Sequence, residues 1–103
     1  MNAIQIVLCT FPEVEVARQI GTVLVEKQLA ACVNLIPGVE SIYRWQGRTE
    51  STPEVLAIFK ITAAAFLEFE RVLTDLHPYD VPEIVAIEPA AVAENYARWI
   101  AGR

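Results

Sequence analysis

The chain has 103 residues, 54% of them hydrophobic, and a net charge of −5. That length fits one domain, residues 1–103, with a core that needs no disulfide, since roughly 65% of the unfolded surface is buried at this size. An acidic balance without a block of like charges excludes the basic patch that nucleic acid requires.

The hydrophobic fraction exceeds the usual range of about 45–50% and points to apolar surface buried between subunits. Cys9 and Cys32 are the only cysteines and make no disulfide framework, which suits a reducing compartment. Met1-Asn2-Ala3 has no basic start, and Ile4–Cys9 is too short for a signal-peptide core. No run approaches the ~18 apolar residues of a membrane span. These features predict a cytoplasmic protein with no membrane partner.

Ile4–Cys9 reads as a first strand, with Ile4, Ile6 and Leu8 on one face and Gln5, Val7 and Cys9 on the other. Thr10-Phe11-Pro12-Glu13 fits a capping box that opens a helix running to about Gln28. Ala17, Ile20, Val23, Leu24 and Lys27 trace its inner edge, and Gly21 suggests a close approach by another element. A long second strand runs from about Cys32 to about Gln46, broken only at Pro37-Gly38. Gln46–Glu50 forms the turn, with Gly47 free to take positive φ. Glu54–Ile61 is the third strand. Thr62 caps a second helix, Ala63–Leu76, striped by Phe66, Phe69, Leu73 and Leu76 and stopped by Pro78. Ile84–Ile87 is the fourth strand, and Val92, Tyr96, Trp99 and Ile100 mark a short last helix, with Trp99 read as core.

The order βαββαβ with a terminal helix predicts an α+β, ferredoxin-like fold, its antiparallel sheet ordered 4-1-3-2. A swapped sheet order stays open. The first strand spans roughly 23 Å and the second roughly 45 Å at ~3.3 Å per residue. About half of the hairpin, Val39–Pro53, therefore overhangs the sheet. Both faces of the third strand are apolar, yet helices cover only one. Strand sharing between subunits answers both demands; a hairpin bent back on its own sheet is the alternative.

Several segments then resemble one family: Ala30-Ala31-Cys32-Val33-Asn34, Ile36-Pro37-Gly38, Ser41-Ile42-Tyr43, Trp45-x-Gly47 and His77-Pro78-Tyr79-Asp80-Val81-Pro82-Glu83-Ile84. Leu8-Cys9-Thr10 and Tyr96-x-x-Trp99-Ile100 fit as well. Nearly the whole chain resembles the CutA divalent-cation-tolerance proteins. The resemblance implies a ferredoxin-like subunit in a tight homotrimer, an architecture similar to the PII signalling proteins. It also implies binding of divalent metal, copper foremost, and no catalytic activity.

His77, Cys9 and Cys32 are the only imidazole and thiols, and such ligands suit copper or zinc. Their spacing makes no metal motif. Topology places His77 near Cys9 and puts Cys32 at the far end of the sheet, so all three meet only across subunits. The bland alternative is two buried cysteines and a histidine ordering a loop. Tyr79, Asp80 and Glu83 share the loop with His77, and Lys60 is a candidate partner for Glu83. Tyr43 and Trp45 read as interface aromatics or as the lining of a cleft between subunits. No nucleophile elbow or phosphate-binding glycine loop is present, so neither an enzyme nor an organic cofactor is expected. The leading reading is a non-enzymatic, metal-binding homotrimer. A PII-like sensor of a small ligand and a trimer that scaffolds an unidentified protein partner are the alternatives.

Overall fold

A computed structural model describes residues 3–102; the reading of Met1 and Asn2 as free of a leader lies outside them. The elements are β1 (Ile4–Phe11), α1 (Val14–Glu26), β2 (Cys32–Trp45), β3 (Arg48–Thr62), a 3-10 turn (Ala63–Ala65), α2 (Phe66–Leu76), β4 (Val85–Ile87) and α3 (Glu94–Ala101). One sheet orders them β2-β3-β1-β4 with every neighbour antiparallel, as the sequence predicts.

The alternation of side chains divides the sheet into two faces. Val7, Cys9 and Phe11 of β1 lie across from Phe59, Ala57 and Val55 of β3, and all six are buried. Ala17, Ile20 and Leu24 of α1 and Phe69, Val72 and Leu73 of α2 close over them. Phe59 meets Phe69 edge-on at 5.0 Å between ring centroids. Gly21 lies where α1 crosses β2. A Cβ there would stand 3.0 Å from the Val33 side chain, which accounts for a glycine inside a helix.

On the opposite face Leu8 lies across from Ile58, and Ile36 across from Leu56. Among the described residues, α3 covers one end of this face, where Ala97 and Ile100 pack on Ile4 and Ala31. Ile36, Val85 and Ile87 remain exposed there.

The capping box at Thr10 does not form. β1 continues through Thr10 and Phe11, which pair with Leu56 and Val55. Burying the whole Phe11 side chain outweighs a surface cap, and the helix starts later, with Glu13 at its N-cap and no side-chain bond there. Thr62 likewise precedes the 3-10 turn without capping it. The hairpin turn is tighter than predicted. Trp45 pairs with Arg48, and Gln46 and Gly47 both take positive φ, 52° and 78°, as a two-residue twisted turn requires. β3 therefore begins at Arg48, six residues before the expected start.

Register confirms the overhang. β3 pairs with β1 only from Val55 onward, whereas its ladder with β2 continues out to Arg48. Near Pro37-Gly38 an extra residue enters β2 between Ile36 and Val39, with Gly38 at φ 80°. The hairpin gives the molecule its 46 Å long axis, against 26 and 22 Å.

The stripe expected on the last helix is rotated. Ala97 and Ile100 are its buried residues, and Tyr96 and Trp99 stack on each other at 5.8 Å, 41% and 53% exposed. Trp99 is thus not core within this chain, because the sheet end beneath α3 is filled by Ile100 and Ala97.

Candidate functional site

The loop after α2 is where the chain concentrates its chemistry. Pro78 forces His77 out of helical conformation (φ −73°, ψ 139°), which ends α2 and swings the imidazole toward the end of β1. There His77 is buried and stacks on Phe11, ring centroids 4.6 Å apart and 19° from parallel. Its Nε2 lies 2.8 Å from the Thr10 carbonyl oxygen, and its Nδ1 lies 3.1 Å from the Tyr79 amide nitrogen. A carbonyl only accepts and an amide N–H only donates, so the ring is fixed as the neutral Nε2–H tautomer. Tyr79 then reaches across and donates its phenol proton to Glu54 Oε2 at 2.6 Å. Glu54 sits one residue beyond the last β1–β3 pair, where the hairpin leaves the sheet.

Burial pulls the His77 imidazole below its ordinary value of 6.5; the Thr10 carbonyl and Glu54 oppose that shift without reversing it. Burial also raises the Tyr79 phenol, and the Glu54 carboxylate beside it adds to the rise. The Cys9 thiol is pushed up to about 12, first by burial and then by Glu83 and Glu54.

The other predicted residues lie elsewhere. Cys32 is half-buried on the opposite face of the sheet from Cys9, its Sγ 3.7 Å from the Tyr96 hydroxyl. Cys9 lies across from Ala57 and Cys32 across from Lys60, so the two thiols are three residues apart along β3 rather than at opposite ends of the sheet. The register causes that difference, because Cys32 enters the sheet level with Ile6, two residues inside the start of β1. Lys60 donates to the Asn34 side chain, not to Glu83. Glu83 is exposed at the end of the loop. Tyr43 hydrogen-bonds Thr52 across the hairpin at 2.9 Å, and Trp45 is 62% exposed at its tip. Glu54, Phe11 and the Thr10 carbonyl were not legible as parts of this cluster. Only the register of β3 brings Glu54 to the loop, and no local pattern encodes it.

A family profile described as CutA1 divalent ion tolerance protein matches residues 5–103. The chain belongs to this family. It is 48% identical over 96 residues to the divalent-cation tolerance protein CutA of Thermus thermophilus, covering 93% of each chain. It is 34% identical to the chloroplastic protein CutA of Arabidopsis thaliana over 92% of this chain but only 52% of that longer protein. A solved CutA structure from Xylella fastidiosa superposes with a TM-score of 0.94 at 36% identity, covering 97% and 96% of the two chains.

The CutA1 family description raises the question of a divalent cation, and the donor set answers poorly within one chain. Both His77 nitrogens are already engaged. The Cys9 thiol is fully buried under the helices, and burial raises it, so an ion would have to reach the core and displace its proton. Cys32 faces the other way. Among the described residues, no three His, Cys, Asp or Glu side chains gather to hold a metal ion. Also among them, no helix is long and apolar enough to cross a membrane.

Two expectations follow. Alkylation with iodoacetamide at pH 8 will leave Cys9 unmodified in the native protein and label it on unfolding, as mass spectrometry of digests will show; native-state labelling of Cys9 would contradict its burial. The second concerns pH. An unfolded histidine titrates near 6.5 and the folded His77 below that, so the stability it contributes is complete above about 6.5. That stability is lost as the pH falls through the folded value. Chemical denaturation at pH 7.5 and 5 will show a larger loss on acidification for wild type than for His77→Gln; equal losses would contradict the assignment.

Proposed function

We propose that this CutA1 family member works as a homotrimer in divalent-cation tolerance, binding metal, copper foremost, where subunits meet rather than inside one chain. The match to the divalent ion tolerance family over residues 5–103 carries the reading. Support for assembly comes from the overhanging hairpin and the exposed Ile36, Ile42, Tyr43, Trp45, Val85 and Ile87, an apolar set that water disfavours. Among the described residues no three donor side chains gather within one chain, so a metal site would need donors from a neighbouring subunit. The tolerance role needs no chemistry from the chain, in keeping with a non-enzymatic protein. Two free thiols that cannot reach each other through the sheet favour a reducing, cytoplasmic setting.

Calorimetric titration of the chelator-treated protein with Cu(II), Zn(II) and ATP tests the reading. Saturable copper heats that vanish in an assembly-deficient variant are expected. Binding of ATP without metal would favour the PII-like sensor instead. Silence toward all three would favour a trimer that presents a surface to a protein partner.

A further inference from the structure

We propose that His77 is a positioning residue, a two-way hydrogen-bond pin that ties the loop after α2 to the end of β1 and to the root of the hairpin, and that it is not a metal ligand. A ligating imidazole needs a free ring nitrogen with its lone pair directed at the metal, while the other nitrogen is commonly held by a supporting acceptor. Here the Nε2–H donates to the Thr10 carbonyl, and the Nδ1 lone pair is taken by the Tyr79 amide. Neither nitrogen is left to bind an ion. The ring stacks on Phe11 at 4.6 Å and meets the Tyr79 ring at 4.8 Å with a 46° tilt, so rotation to free a lone pair would break both bonds and disturb both ring contacts.

What the pin holds is the next residue in the chain of contacts. With its amide fixed by His77, Tyr79 is aimed at Glu54, and Glu54 lies across from Val39, the first paired residue beyond the bulge in β2. The loop therefore reaches the point where the two-stranded hairpin loses the support of β1. The charged group that acts on the ring is Glu54 from β3, and the titratable side chain in contact with it is Tyr79 from the loop itself. This inference does not depend on the proposed metal role, since it concerns which residue does not carry the metal.

Nitrogen-15 NMR of the intact protein, with Zn(II) alone as the diamagnetic probe, tests it. The His77 ring is expected to show the Nε2–H tautomer at pH 7.5 and to keep its shifts through several equivalents of Zn(II). A saturable zinc-induced shift of either ring nitrogen would overturn the proposal. Hydrogen exchange supplies the positioning readout. His77→Leu should speed exchange of the Tyr79, Val39 and Glu54 amides by up to about tenfold, the loss of one net hydrogen bond. His77→Gln, which keeps a donor for the Thr10 carbonyl, should recover part of that protection. Unchanged exchange at Val39 and Glu54 in His77→Leu would overturn the link to the hairpin. Should that variant not fold, the wild-type tautomer and zinc measurements decide alone. Zinc heats measured in parallel report any metal bound elsewhere, so loss of the metal role and loss of this assignment are read separately.

Discussion

Phe59→Ala will destabilise the fold by about 3–5 kcal/mol, the range for emptying a buried aromatic site. Phe59 lies on the central strand β3, fully buried. Val7 and Val33 flank it in the same row of the sheet, and the edge of Phe69 meets it from above. Neighbours on two adjoining strands are held by their own ladders and cannot collapse into the vacancy. The loss is a large share of the roughly 5–15 kcal/mol that separates a folded domain from its unfolded chain. Urea denaturation at fixed protein concentration will measure it. Phe66→Ala, at a half-buried position on the margin of the same cluster, should cost clearly less. Equal costs would mean that the packing row through Phe59 is not the centre of the core.

Trp45→Asp will dissociate the proposed homotrimer while leaving the chain folded. The contrast is informative because Trp45 is 62% exposed in the single chain. In a monomer, a carboxylate at such a site stays in water and costs almost nothing. At a buried junction between subunits it is left uncompensated, which costs several kcal/mol, and closed symmetry repeats that cost at every copy of the junction. Circular dichroism should therefore show unchanged secondary structure, while the solution mass falls to that of one chain. A variant with the wild-type mass would remove Trp45 from the interface.

Much of the fold was legible because its signals are local. The third strand reads as apolar on both faces with helices over one, and Val55, Ala57, Phe59 and Ile61 are the face that the helices bury. Pro78 placed the end of α2 within a residue of where it lies. The 4-1-3-2 order followed from handedness and was correct. The errors arose where tertiary contacts outweigh local chemistry. Thr10 and Glu13 satisfy a capping pattern, yet pairing with Leu56 and burial of Phe11 draw that segment into the sheet. Tyr96 and Trp99 fit a helical stripe, but which stripe faces inward depends on the sheet end beneath α3.

The site divides in the same way. His77 was singled out by residue type, and topology correctly brought it to the end of β1. Its partners are a backbone carbonyl and a backbone amide, which no residue pattern announces. Glu54 is distant in sequence and arrives only through the register of the hairpin. Cys9 and Cys32 drew notice as thiols, but the parity of positions along two strands puts them on opposite faces.

The central claim is that the single chain is an incomplete surface, with an overhanging hairpin and an apolar sheet face that copies of itself must cover. Multi-angle light scattering of the metal-free protein at low micromolar concentration tests this directly. The account predicts three times the 11.5 kDa mass of the chain. A mass equal to one chain, held across the concentration range, would contradict it.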